Sequence, residues 1–200
     1  MDMIGSDSIA ILPTASISIR NRDVEFPFRP DSDFFYLTGY PEPEAVVVLI
    51  PDREEGECIL FCRERDEKME AWHGRRSGLE GAIKIYAADD AFPIEDMDDI
   101  LPGLIEGHER IYYNMGSDQN FDQRVLGWVN QIRDKVRTGA TAPDEFISLN
   151  HFLHEMRLYK SRYEIKLMRK AAEISTKAHK RAMKNCRPGM YEYQLEGEST

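Results

Sequence analysis

The sequence has no apolar run approaching the roughly eighteen residues of a membrane-spanning helix, so no membrane partner is predicted. Its first thirty residues lack a basic stretch leading into an apolar block, which argues against a secretory signal. Cysteine is scarce: Cys58, Cys62 and Cys186 are odd in number and stand at no zinc-ribbon or redox spacing. That excludes a disulfide framework and fits a reduced, cytoplasmic setting. No G-x-G-x-x-G, P-loop or G-x-S-x-G occurs, so the commonest dinucleotide, nucleotide and serine-hydrolase signatures are missing.

What is present is a chain of 200 residues, 42% hydrophobic, enough for a real core and for one domain plus part of another. The net charge of -10 hides an asymmetry. Residues 157–187 hold eleven Lys and Arg against Glu164 and Glu173, which leaves the remainder strongly acidic. A basic helix can bind nucleic acid, but no aromatic residues interleave with these charges as a stacking platform requires. The acidic remainder would also repel a phosphate backbone. No nucleic-acid partner is predicted, and the basic stretch reads as a solvated face or one that meets an acidic neighbour.

Six apolar runs read as strands: "SIAILPT" (8–14), "FFYLTGY" (34–40), "AVVVLIP" (45–51), "ECILFCR" (57–63), "AIKIYAA" (82–88) and "RIYYNM" (110–115). "AVVVLIP" is apolar on both parities, as a strand covered on both faces would be. With "ECILFCR" it makes an antiparallel hairpin across the turn-rich "DREEG", and Cys58 and Cys62 should face one side of it. Two segments read as helices. Residues 93–105 carry one apolar face that Pro102 interrupts late. Residues 118–137 place Phe121, Val125, Trp128, Val129, Ile132 and Val136 on one stripe behind an Asp118 N-cap. Strands and helices in mixed order, with a hairpin, predict a mixed α/β sheet flanked by helices.

"RTGATAP" (137–143) is the best linker candidate, followed by a short helix around 146–156. The longest regular element comes next. Ser161 and Glu164 form a capping box, and Ile165, Met168, Ala172, Ser175, His179, Ala182 and Cys186 recur every three or four residues until "RPGM". The small residues on that stripe call for a close neighbour. A further helical signal begins at Tyr191, so the segment reads as the opening of a second domain.

Candidate chemistry is thin. In "HFLHE", His151 and His154 can share a helix face, but no third ligand is indicated, and a surface or interdomain pair is the plainer reading. His73, His108 and His179 stand alone. "AWHGRR" (71–76) is the exception: Trp and Arg in a loop between strands are the residue types most enriched at binding hot spots.

Four segments, taken together and in order, resemble the Xaa-Pro aminopeptidase (aminopeptidase P) family of pita-bread metallopeptidases. They are "FPFRPDSDFFYLTGYPEPEAVVVLIP", "FCRERDEKMEAWHGRRSGLEGA", "HEMRLYKSRYEIKLMRKAAEISTKAH" and "CRPGMYEYQLEGE". The resemblance implies an amino-terminal α/β domain of creatinase/prolidase type over residues 1–150. Residues 151–200 would be a linker and the first helices of a catalytic domain. It further implies a metal site, usually two Mn ions, held by two Asp, one His and two Glu that match no position here. No catalytic or metal-binding residue is therefore assigned within this chain, and the chain alone is expected to be inactive. Two residues do match: Trp72, and Arg137, which in oligomeric relatives approach a neighbouring subunit's site. A homo-oligomer, dimer or tetramer, is implied, with a peptide substrate carrying proline at its second position. A prolidase acting on dipeptides, or a non-catalytic protein-binding relative, are the alternatives; "AWHGRR" and "EAVVVLIP" favour the aminopeptidase.

Overall fold

The computed structural model describes Met1 and residues 3–199, which form two compact units, Met1–Leu153 and His154–Thr200. In the first, β1 (Ser8–Pro13) is followed by a small hairpin, β2 (Ile19–Asn21) and β3 (Val24–Glu25), and by helix α1 (Ser32–Thr38). Next come β4 (Val46–Leu49), β5 (Cys58–Cys62), α2 (Glu67–His73), α3 (Gly78–Tyr86) and β6 (Asp90–Pro93). A 3₁₀ turn (Ile94–Asp96) leads into α4 (Met97–Ile105), β7 (Arg110–Tyr112) and α5 (Gln119–Asp134). A second 3₁₀ turn (Val136–Thr138), β8 (Glu145–Ile147) and the first residues of α6 (Asn150–Leu158) complete the series.

Six strands form one mixed sheet in the order β6-β5-β4-β1-β7-β8. β4 pairs antiparallel with both β1 and β5, whereas β5–β6, β1–β7 and β7–β8 are parallel. The period-2 alternation of strands sends side chains to two cores. Ile9, Ile11, Val46, Val48, Ile59, Phe61 and Ile111 meet α4 and α5 through Met97, Leu101, Val125 and Trp128. On the opposite face Ala10, Leu12, Val47, Leu60 and Cys62 meet Phe34 of α1, Ala82 of α3 and Leu153 of α6. Each fully buried aliphatic or aromatic side chain contributes about 1.5–3 kcal/mol, so these two layers dominate the stability of the unit. The mixed sheet flanked by helices is the predicted fold class, and Cys58 and Cys62 do share one face.

Two of the six predicted strands are helices. In "FFYLTGY", Asp31 accepts hydrogen bonds from the amides of Asp33 and Phe34 at 2.9 and 3.0 Å, and Gly39 closes the helix in the left-handed conformation at φ 63°. A capped turn of helix that buries Phe34 overrides the aromatic strand propensity. In "AIKIYAA", Ala82 is buried whereas Ile83 and Ile85 are exposed, so the alternating isoleucines point to solvent and a helical face does the packing. Pro102 lies inside α4, which continues to Ile105. Residues 137–143, the linker candidate, run within the first unit to the edge strand β8.

The second unit holds α7 (Arg162–Asn185) and α8 (Glu192–Ser199). The capping box at its start is formed: the Ser161 amide donates to Glu164 Oε2 at 2.7 Å and the Glu164 amide to Ser161 Oγ at 3.2 Å. These bonds to the carboxylate form hold the Glu164 carboxyl below the usual carboxylate range. Glu198 ties α8 to α7, accepting from Arg181 Nε at 2.7 Å and Asn185 Nδ2 at 2.8 Å. No residue of α7 is buried; Met168, Ile174 and Met183 on it are exposed apolar side chains.

Candidate substrate-access surface

β5 ends in the core at Cys62, and the fifteen-residue strap 63–77 leads from it to α3. Asp66 starts α2 inside this strap by accepting from the amides of Lys68 at 2.9 Å and Met69 at 3.3 Å. Glu70 is gripped from the preceding turn by Arg65, Nε to Oε1 at 3.0 Å and Nη2 to Oε2 at 3.2 Å, a two-point contact that holds its carboxyl below the usual range. Gly74 then takes φ 87°, ψ 169°, a conformation that a side chain would oppose, and so frees the chain from the helix. Arg76 Nη1 donates back to the Glu64 carbonyl at 3.2 Å, which closes the strap on itself.

None of the residues of α2 is buried. Trp72 is 84% exposed, against 2% for Trp128 in the core. The sequence predicts Trp72 in a loop; it stands in the last turn of a short helix, because Asp66 and Gly74 bracket that helix with a cap at each end. Arg137 lies in the 3₁₀ turn after α5, on a different element from Trp72, and is exposed.

Glu42, just ahead of β4, meets both ends of the strap. Its Oε1 accepts from the Ser77 amide at 2.7 Å, and its Oε2 faces Arg63 Nη2 at 3.5 Å. The two side chains are only 12% and 13% exposed. Glu44 adds a second carboxylate beside Arg63 at 3.7 Å. Behind Glu42 is Tyr40, whose phenol pKa is pushed well up by burial and then by Cys62 and Glu42. Burial likewise pushes the Cys58 and Cys62 thiols up to about 11, so neither is a nucleophile near neutrality. Sequence reasoning missed Glu42; the available signal was an acidic residue between prolines immediately before a fully apolar strand.

A cavity of about 510 Å³ opens where β1 runs out, lined by Thr14, Ser16, Glu44, Glu95, Asp118 and Arg124 among others. Asp118 caps α5 and Arg124 pairs with Asp98 at 3.0 Å, so both are already engaged. No His or Cys lines it. Among the described residues no group of three or more His, Cys, Asp and Glu is placed to hold a metal ion. His151 stacks edge-on against Phe152 at 5.7 Å. The donor set of a dinuclear site therefore does not fit the residues present here, and no metal-dependent step is assigned to them. No helix among the described residues is long and apolar enough to cross a membrane.

The described residues form a mixed α/β sheet flanked by helices, with an exposed tryptophan on a strap held by polar contacts. Residues 1–112 match the family Aminopeptidase P, N-terminal domain, and the chain belongs to that family. Residues 166–200 match metallopeptidase family M24. The Xaa-Pro aminopeptidase of Escherichia coli is 41% identical over 192 residues, which cover 96% of this chain and 44% of that protein. The solved structure of Pseudomonas aeruginosa aminopeptidase PepP superposes with a TM-score of 0.94 at 60% identity, over 99% of this chain and 45% of that one. A zinc-substituted E. coli aminopeptidase P in complex with product superposes with a TM-score of 0.89 at 40% identity, over 96% of this chain and 44% of that one. The chain thus spans under half the length of these relatives.

Proposed function

We propose that the chain is the amino-terminal part of a cytoplasmic, metal-dependent Xaa-Pro aminopeptidase that removes the residue preceding proline. The observation that carries this reading is the similarity to the P. aeruginosa aminopeptidase over 99% of the chain at 60% identity. In this reading residues 1–150 support oligomer assembly and substrate access, and residues 151–200 connect to and open the catalytic domain. A pair of metal ions, manganese by resemblance, would supply an activated hydroxide and polarise the scissile carbonyl when bound. Residues of this chain act around that chemistry. Trp72, exposed on its strap, and Arg137 would reach the active site of a neighbouring subunit in a dimer or tetramer. There the indole would wall the substrate channel and the guanidinium would offer donors to the peptide. Proline lacks an amide hydrogen and has a fixed φ, so a site shaped around its ring can select it at the second position.

The test uses two proteins: the longer enzyme carrying this sequence and the 200-residue chain alone, each incubated with Mn²⁺ and an Xaa-Pro-Xaa peptide. Release of the first residue by the longer protein only is expected. Turnover by the chain alone, after removal of contaminating peptidases, or none by the longer protein, would overturn the reading.

A further inference from the structure

We propose that Glu42 is a positioning residue that latches the Trp72 strap to the sheet, an inference that rests on the access reading of Trp72. No residue of helix α2 is fully buried, and its apolar side chains Met69 and Trp72 are 39% and 84% exposed, so hydrophobic contact does little to fix its orientation. The contacts within the strap, Arg65 with Glu70 and Arg76 with the Glu64 carbonyl, shape it but do not attach it. Glu42 is the carboxylate that meets both ends, Arg63 where the chain leaves β5 and the Ser77 amide where it enters α3, with the more exposed Glu44 also beside Arg63. At 12% and 13% exposure the Glu42–Arg63 pair is poorly screened by water, so its attraction exceeds that of a surface pair. Removing Glu42 would leave the largely buried Arg63 with only the more exposed Glu44 beside it, and would orphan the Ser77 amide. Tyr40, buried in the second core and set against the Tyr86 ring at 4.9 Å, gives the latch a rigid back.

The test compares Glu42→Ala, Glu42→Gln and Trp72→Ala in the longer enzyme. Hydrogen exchange of residues 64–77 should rise about tenfold or more in Glu42→Ala, with 46–49 and 58–62 unchanged, as loss of one sheltered hydrogen bond and ion pair implies. Glu42→Gln keeps an oxygen for the Ser77 amide and should fall between. The ratio of kcat/KM for a long Xaa-Pro peptide to that for a tripeptide should drop about threefold or more in Glu42→Ala. That ratio should drop no further when Trp72→Ala is added, a result that a general loss of folded enzyme would not give. Unchanged exchange in 64–77, or an equal rise throughout the sheet, would overturn the latch. If Trp72→Ala shifts the length ratio while Glu42→Ala does not, the latch fails and the access reading stands. If Glu42→Ala loosens only the strap and Trp72→Ala leaves the ratio unchanged, the latch stands and the access reading fails.

Discussion

The indole Nε1 of Trp128 donates to Asp98 Oδ1 at 2.8 Å, joining α5 to α4 across the top of the larger core. The same carboxylate takes Arg124 Nε at 3.1 Å, so one exposed Asp satisfies a buried indole and a surface guanidinium. Asp98→Ala should therefore cost about 1 kcal/mol, the ordinary net worth of a hydrogen bond. Asp98→Asn, which keeps an acceptor, should cost less. Urea unfolding followed by Trp128 fluorescence reads both.

The two tryptophans should differ sharply when truncated. Trp128→Ala empties a core site and should cost about 3–5 kcal/mol. Trp72→Ala removes an 84% exposed side chain and should stay within about 0.5 kcal/mol. The comparison is made by urea or thermal unfolding of the two variants side by side.

How far the sequence discloses this molecule depends on which physical signal each segment carries. β4 and β5 are legible because apolar residues of both parities leave no alternative to a doubly covered strand. α5 is legible because consistent periodicity over its sixteen residues follows an N-cap, although Val136, predicted on the same stripe, lies in the 3₁₀ turn beyond it and is exposed. The capping box of α7 is explicit in Ser161 and Glu164. "FFYLTGY" misleads because its aromatic propensity is local, whereas the Asp31 and Gly39 caps that decide the matter stand outside the run. β6 and β8 are edge strands of four and three residues, too short and too mixed in polarity to announce themselves. Trp72 is conspicuous by residue type. Its exposure follows from the absence of periodic apolar partners, but the Glu42 latch that orients it is a contact between residues 35 positions apart in the chain. No window of sequence displays such a contact.

Stability should fall as pH rises from 9 to 11. The Cys58 and Cys62 thiols have their folded values raised from 9.0 to about 11 by burial. Below the unfolded value both states hold the proton and the contribution is complete. Above it the unfolded chain releases protons that the folded chain retains, so folding weakens until the folded value is passed. Tyr40 and Tyr113, also raised by burial, extend the same trend further into alkali. Urea midpoints at pH 8, 9, 10 and 11 measure this, and a Cys58→Ala/Cys62→Ala variant should show a shallower decline between 9 and 11.

Thiol reactivity should separate the same residues. At pH 8 a thiol titrating near 11 is about one-thousandth ionised, and the thiolate is the reactive form. Cys186 is exposed, while Cys62 is buried and Cys58 partly so. A disulfide reagent should modify Cys186 promptly and the other two only after denaturant is added; mass spectrometry of the labelled peptides assigns them.

In the 200-residue chain, α7 should be held far less firmly than the sheet. An isolated helix owes little to its own hydrogen bonds and most of its stability to packing, and α7 buries no residue. Hydrogen exchange should show residues 162–185 exchanging orders of magnitude faster than 46–49. Equal protection would mean that the stripe from Ile165 to Cys186 has found a partner, such as a second copy of the chain.

The most direct test of the access role is a series of Xaa-Pro peptides of increasing length, assayed with the longer enzyme and its Trp72→Ala variant. The loss in kcat/KM caused by Trp72→Ala should grow with substrate length, while its melting temperature stays near that of the parent and well above that of Trp128→Ala. An identical kcat/KM at every length, together with a melting temperature lowered as far as by Trp128→Ala, would contradict it. Trp72 would then be a structural residue with no part in admitting substrate.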